Sequence, residues 1–284
     1  MTRSPSLSIG VVVTVHNRSD YLANAIGSLM AQSRLPERII IVDDGSTDPS
    51  VDGVLESLAA LETVQIERIE NRGLAGARNL GRSGLDSDLL LFLDDDDEIC
   101  PAYLERTAER MEDDPTIAVA YTQAEFFGDL EGAWDLPPYD PVDIIWQNMV
   151  YSAALIRAQV FDQVGGYDES LWRGREDHDL WIRITAAGHG FSRVEESLFR
   201  YRQTGTSMNH SIGGDLAEMG RTYGTIMRNS PDHFLRNADH LWEQIHALRA
   251  ENRRYRRLYG RLDENLRRLR AVAARRSPRL RRQR

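Results

Sequence analysis

Apolar runs and mixed segments alternate along the first two hundred residues. LSIGVVVTV (Leu7 to Val15) is apolar and β-branched, the composition of a strand covered on both faces. In the segment after Asn17, Leu22, Ile26, Leu29 and Met30 recur at helical spacing, with Ser19 or Asp20 placed to cap that helix. A second apolar run, RIIIVDDGSTD from Arg38, ends in acids and a turn, and VQIERIE from Val64 predicts a third, short strand. AGARNLGRSGL from Ala75 reads as a helix opening after a glycine-containing loop. DLLLFLD from Asp88 reads as a fourth strand, and PAYLERTAERMED begins a helix at Pro101, a favoured first-turn residue. Strand and helix alternate, which predicts an α/β sheet with mostly parallel strands.

A further apolar strand is expected from Ala118 to Phe127, then a loop over YDPVDIIWQNMV from Tyr139. YSAALIRAQVFDQVGGYDE from Tyr151 suggests a strand, a short helix and a Gly-Gly turn. In LWRGREDHDLWIRITAAGHG from Leu171, Leu180, Ile184 and Ala187 share one helical face, with Asp177 near the N-terminal end. Beyond Ser207 the pattern becomes helical. Leu241, Leu248, Tyr255, Leu262 and Leu269 alternate with Ile245, Asn252, Tyr259 and Leu266 at spacings of four and three, a heptad seam over 241–269. Asn252 at one a position suits a parallel, in-register homodimer; an amphipathic helix folded back on the preceding domain fits the same pattern. The chain is thus expected to divide into a domain over 1–212 and a helical extension over 213–284.

Composition sharpens this picture. In 284 residues with 41% hydrophobic content there is material for one good core and a smaller appendage. No apolar run approaches the length of a membrane span, and the N-terminus lacks a secretory h-region. One cysteine, Cys100, excludes an internal disulfide framework and leads us to expect a cytoplasmic setting. The net charge of −9 conceals an asymmetry: from Arg249 onward fifteen arginines face three acids, about +12, leaving about −21 for the rest. An acidic body argues against nucleic acid as a partner. The basic tail over 271–284 suits peripheral contact with anionic lipid at the inner membrane face, and a solvated, disordered end equally.

The chemistry concentrates at strand ends. Asp43 and Asp44 close the second strand, and Asp94 to Asp97 close the fourth. Ligands of open α/β sheets sit beyond the carboxyl ends of strands, so two acidic clusters converge on one edge. A single run would be a solvated turn; two at matching ends point to a hard divalent cation, Mg²⁺ or Mn²⁺, sharing its shell with substrate phosphates. Glu176 and Asp177 are either caps stabilised by the helix dipole or, for Asp177, a general base at the mouth of the site.

In chain order, VVVTVHNRSDYLANAIGSLMAQ, IIIVDDGSTD, NRGLAGARNLG, LLFLDDDDEICP, VGGYDESLWRGREDHDLWIRITAAG and YRQTGTS resemble the blocks of the family 2 glycosyltransferases, inverting enzymes of the GT-A fold. The resemblance spans about Leu7 to Ser207. It implies that Thr14 and Asp44 contact the nucleotide base of a sugar donor and that Arg78 lies near the base or diphosphate. It implies that Asp94 and Asp95 reach the ribose or metal shell, that Asp96 is the main metal ligand, and that Asp177 is the catalytic base. The register within Asp94 to Asp97 stays open by one residue. Gln203 and Thr204 follow the YR pair where many relatives carry a histidine. His210 is the nearest candidate third ligand, with a surface-loop histidine as the other reading. Trp172 and Glu176 are expected on the acceptor side, Trp172 either stacking on a sugar ring or serving as an ordinary partly buried aromatic. The QxxRW block and membrane spans of processive synthases are missing from this sequence, so the resemblance favours a single addition. It implies transfer from a nucleotide-diphosphate sugar, commonly a uridine one, to a saccharide or lipid-linked acceptor in glycan or cell-surface polysaccharide synthesis. Rival readings are a sugar-nucleotide-binding scaffold without turnover and an aspartate-nucleophile phosphatase. The second needs a phosphate-binding lysine, and the sequence has no lysine.

Overall fold

The computed structural model describes residues 6–172, 174–204 and 215–276, with side chains to residue 260. The chain divides into two compact units, Met1–Phe234 and Leu235–Arg284.

The first unit is a mixed sheet with helices packed on it. Ile9–Val15 (β1), Arg38–Asp44 (β2), Val64–Ile69 (β3) and Leu89–Asp94 (β4) run parallel in the order β3-β2-β1-β4. The apolar residues of β1, β2 and β4 are buried throughout, which is why these runs are continuous rather than alternating. The sheet continues through Leu155–Arg157 (β8), Ile117–Gly128 (β6) and Gly190–Gln203 (β9) to Glu98–Ile99 (β5) at the far edge, with Gly132–Trp134 (β7) alongside β6. β8 is antiparallel to both β4 and β6, whereas β9 lies parallel to β6, with bulges between Thr122 and Ala124.

Helices Leu22–Met30 (α1), Pro49–Leu58 (α2), Gly73–Ser83 (α3), Tyr103–Asp113 (α4), Ala158–Gln163 (α5) and Glu176–Ala186 (α6) connect the strands, and Leu216–Asn229 (α7) and the short Pro231–Arg236 (α8) follow β9. α3 lies close on the sheet: a Cβ on Gly81 would collide with Val12. Within this unit α7 is tied to α6 and the loop before it by Asn229, whose amide donates to Asp168 at 2.7 Å and Asp179 at 2.9 Å.

Two local expectations are corrected, and two elements appear that the pattern did not announce. The N-cap of α1 is Tyr21, without a side-chain cap; Ser19 instead meets Ser50 at 2.8 Å across the loops. Pro101 lies ahead of α4, whose N-cap is Ala102. The polar segment PSVDGVLESL forms α2, capped by Asp48, although it buries only Val51 and Leu55. β9 has little apolar periodicity because most of its residues are half-buried or exposed.

The second unit is dominated by a single helix, Ala238–Arg276 (α9), which contains the whole 241–269 segment. Within it Leu248, Tyr255, Leu258 and Tyr259 are all exposed. Of the basic tail, residues 277–284 lie outside the described residues.

Candidate active site: two adjoining clefts

Sheet register brings the strand-end acids together. Thr14 pairs with Asp94 across β1 and β4, and Val15 pairs with Asp43 across β1 and β2. Beyond these ends opens a cleft of about 330 Å³ lined by Thr14, His16, Arg18, Asp44, Asn71, Asp94 to Asp96 and Trp172. Its floor is rigid. Asp44 accepts the backbone N–H of Arg72 at 2.7 Å, and Asp43 accepts that of Ser46 at 2.9 Å. Gly45 makes the turn between them at φ +74, where a Cβ would stand 2.7 Å from the Asn71 nitrogen. His16 donates through Nδ1 to the Asp44 carbonyl at 2.8 Å.

The four consecutive aspartates take different directions. Asp94 accepts from Arg78 at 2.6 Å. Asp95 and Asp96 share the Arg18 guanidinium. Asp97 is fully buried and accepts the backbone N–H of Arg202 at 2.9 Å. Arg202 in turn donates to the Asp96 carbonyl at 2.8 Å, its guanidinium held 4.1 Å from the ring centres of Tyr21 and Phe127. Burial pushes Asp95 up to about 8, against the pull of Arg18, and raises Asp96 and Asp97 as well, with repulsion among the neighbours adding to the effect. The acid run therefore gathers more carboxyl groups than Arg18 can keep ionised, and protons stand in for the missing positive charge.

These hard oxygen donors, short of positive charge, suit Mg²⁺ or Mn²⁺. No group of three His, Cys, Asp or Glu side chains is arranged around a metal position among the described residues.

A second cleft of about 220 Å³ adjoins the first and shares Leu74, Asp94 and Tyr201 with it. At its mouth, in the first turn of α6, stands Asp177. One carboxylate oxygen accepts from the Asn148 amide at 3.0 Å and the other from the His178 backbone N–H at 2.7 Å. Between the clefts, the buried Arg78 guanidinium reaches Glu176 at 2.7 Å and Asp94 at 2.6 Å, 5.2 Å from the Tyr167 ring centre. The opposite wall is aromatic: Trp134 and Tyr201 lie 4.9 Å apart, backed by Tyr151 stacked on Phe199 at 4.1 Å.

Burial pushes Glu176 up to about 7, although Arg78 pulls it down. Between its ordinary 4.5 and about 7, the folded protein keeps a proton on Glu176 that the unfolded chain has released. The folded state then binds more protons, so this group's contribution is fully present below 4.5 and is lost as pH rises through 7. Glu176→Gln is expected to flatten that part of the stability curve relative to wild type. Denaturant midpoints measured every half pH unit from about 4 to 8 check this; parallel curves for the two proteins would refute it.

The first cleft thus gathers Thr14, Asp44, Asp94, Asp95 and Asp96, and the second gathers Asp177 and Glu176. Trp172, expected on the acceptor side, is 61% exposed and lines the first cleft. Arg78, expected near the base or diphosphate, is a buried strut that lines the second cleft. His210 lies outside the described residues. Arg18, Asn148, Arg175, Trp134 and Tyr201 were missed by sequence reasoning, because no local pattern marks residues drawn from five separate segments.

The model of the family described as glycosyl transferase family 2 matches residues 10–167, more than half the chain. The chain belongs to glycosyl transferase family 2. A second model, glycosyltransferase like family 2, matches residues 139–228. Membership makes the protein a glycosyltransferase, and it is 29% identical over 238 residues to an uncharacterized glycosyltransferase of Nostoc sp., covering 75% of this chain and 70% of that one. It is 27% identical over 223 residues to the O-antigen biosynthesis protein RfbC of Myxococcus xanthus, covering 76% of this chain and only 17% of that one. Among solved structures, S. aureus TarS 1-349 in complex with UDP-GlcNAc superimposes with a TM-score of 0.64 at 17% identity, over 79% of this chain and 67% of that one. That likeness establishes the GT-A fold. No described helix of this glycosyltransferase is long and apolar enough to cross a membrane.

Proposed function

We propose that this family 2 glycosyltransferase moves one sugar, with inversion, from a nucleotide-diphosphate donor in the first cleft to an acceptor hydroxyl in the second. The observation that carries the reading is the meeting of the clefts at Asp94, with the acid run on one side and Asp177 on the other. A uridine donor is proposed from the TarS complex. A role in glycan or cell-surface polysaccharide synthesis is proposed from the Myxococcus relative's name, with a saccharide or lipid-linked acceptor.

In this reading Thr14 and Asp44 hold the base, and Asp94 and Asp95 face the ribose and phosphates. Asp96 is the principal holder of Mg²⁺ or Mn²⁺, with Arg18 giving up its contact. A bound divalent cation would supply positive charge to the departing diphosphate. Asp177 takes the acceptor proton as that oxygen attacks the anomeric carbon opposite the leaving group. The new glycosidic bond forms as the sugar–phosphate bond breaks. Arg78 keeps Asp94 and Glu176 in place on either side of the reacting centre.

The test is thermal stability against a panel of nucleoside diphosphates and nucleotide sugars, each with and without Mn²⁺. A ligand at a hundred times its Kd adds about 2.7 kcal/mol. Metal-dependent stabilisation by one nucleotide is expected in wild type and in Asp177→Ala, and is expected to vanish in Asp96→Ala. If no nucleotide stabilises the wild type with metal present, the transferase site is misassigned.

The 241–269 seam of α9 is proposed to pair with a second copy in a parallel homodimer, leaving the basic tail free for anionic lipid. Exposed Leu248, Tyr255 and Tyr259 support it. Sedimentation velocity is expected to give a dimer that Leu248→Asp dissociates; a monomeric wild type would refute it.

A further inference from the structure

We infer that the acceptor is an anionic saccharide, whose acidic group is held by Arg175 while its ring packs on Trp134 and Tyr201. This rests on the transferase reading of the two clefts and adds the chemical class of the acceptor.

Among the described residues, three arginines line the clefts. Arg18 is paired with Asp95 and Asp96, and Arg78 with Asp94 and Glu176. Arg175 makes no side-chain hydrogen bond or ion pair among the described residues, and its Nε is buried without a partner. Evolved structures rarely leave a half-buried guanidinium unpaired, because desolvation without a counterion is costly. Its backbone is in the left-handed region at φ 72, which residues other than glycine seldom adopt. Such conformations cluster where a side chain must be aimed. Here the residue lines the second cleft beside Asp177, its charge also felt by Tyr223 and His178.

Arg175 lines the second cleft and not the first, so the natural counterion is a group on the acceptor rather than the donor's diphosphate. A guanidinium matches a phosphate or a carboxylate with two parallel hydrogen bonds. The aromatic wall supplies the other half of the recognition. Trp134 is half-buried, stacked on Phe126 at 5.2 Å and 4.9 Å from Tyr201, so its remaining face is held rigid. A pyranose presents a face of C–H groups that packs on such a ring, while its hydroxyls reach Asn148 and Asp177.

The probes are methyl β-glucoside, glucose 6-phosphate and glucuronate, titrated by ligand-observed NMR into protein saturated with UDP and Mn²⁺. At least one charged sugar is expected to bind about tenfold tighter than the neutral one, the worth of one charge-assisted pair. Phosphate and carboxylate sources are told apart by which charged probe gains. Arg175→Gln is expected to erase the gain without changing the neutral sugar's affinity, Arg175→Lys to keep part of it, and Trp134→Ala to weaken all three. Equal affinities in wild type would overturn the proposal, as would a gain that survives Arg175→Gln. A loss of UDP binding in Arg175→Gln would also overturn it, by moving Arg175 to the donor. Should Arg175→Gln fail to fold, the wild-type salt dependence decides. The charged sugar's advantage is expected to shrink with added salt, and an advantage indifferent to salt would overturn the proposal. Failure of wild type to bind UDP at all is a different result, which sinks the transferase reading itself.

Discussion

Asp177→Asn is expected to lower turnover by about 10²- to 10⁴-fold, the usual worth of a positioned general base. The side chain keeps its shape: its carbonyl oxygen can still accept from the His178 N–H, and a flip of the Asn148 amide turns that residue's own oxygen towards the new NH2, so the clefts need not rearrange. What is lost is the ability to take the acceptor's proton. Because Asp177 lines the second cleft and not the first, donor binding is expected to survive. The kinetic consequence is a fall in kcat with little change in the donor KM. Single-turnover measurements with the nucleotide sugar found in the stability panel, together with UDP titration of the same variant, check both halves. Turnover within threefold of wild type would remove Asp177 from the mechanism. Loss of UDP binding would mean that it supports the donor site instead.

Arg78→Met is expected to be the most destabilising single change in the site, at about 3–5 kcal/mol near pH 8. Arg78 is 1% exposed, and its guanidinium neutralises Asp94 and Glu176 together. Methionine fills much of the volume but leaves two carboxylates without a counterion. The cost has a sign in pH. Glu176 sits at about 7 even with Arg78 beside it, and losing the cation raises it further, so acid neutralises the orphaned group. The stability gap between wild type and variant is therefore expected to narrow as pH falls from about 8 towards 5. Adding Glu176→Gln to Arg78→Met is expected to recover part of the loss, since the two residues touch and do not act independently. Denaturant unfolding of wild type, the single variants and the double variant at both pH values measures these differences. A destabilisation below about 1 kcal/mol would show that the strut carries little load.

Much of the first cleft was legible in the chain. β1, β2 and β4 announce themselves because strands buried on both faces must be continuously apolar, and their acids mark the carboxyl edge. Asp43, Asp44 and the acid run were placed on one edge from strand ends alone, with Thr14 added by the family resemblance, and the parallel register puts them there. The six blocks read in order also led to the family and to the GT-A fold. The second cleft was far less legible. Its aromatic wall comes from β7 and β9, short or half-exposed strands with no continuous apolar run, joined through pairing with β6 over sequence separations of up to 75 residues. The direction of each aspartate in the run was equally hidden, because Asp97 is turned inward by the Arg202 backbone 105 residues away.

By itself, then, the sequence determined the alternation of elements, the acidic edge and the family, since these depend on local periodicity and on residues close in the chain. Tertiary structure alone decided which arginine is a buried strut, which is paired with the acid run and which lines the second cleft without a side-chain partner among the described residues. Arg18, Arg78 and Arg175 look alike in the sequence, and a guanidinium's role is set by the carboxylates that long-range packing brings within about 4 Å of it.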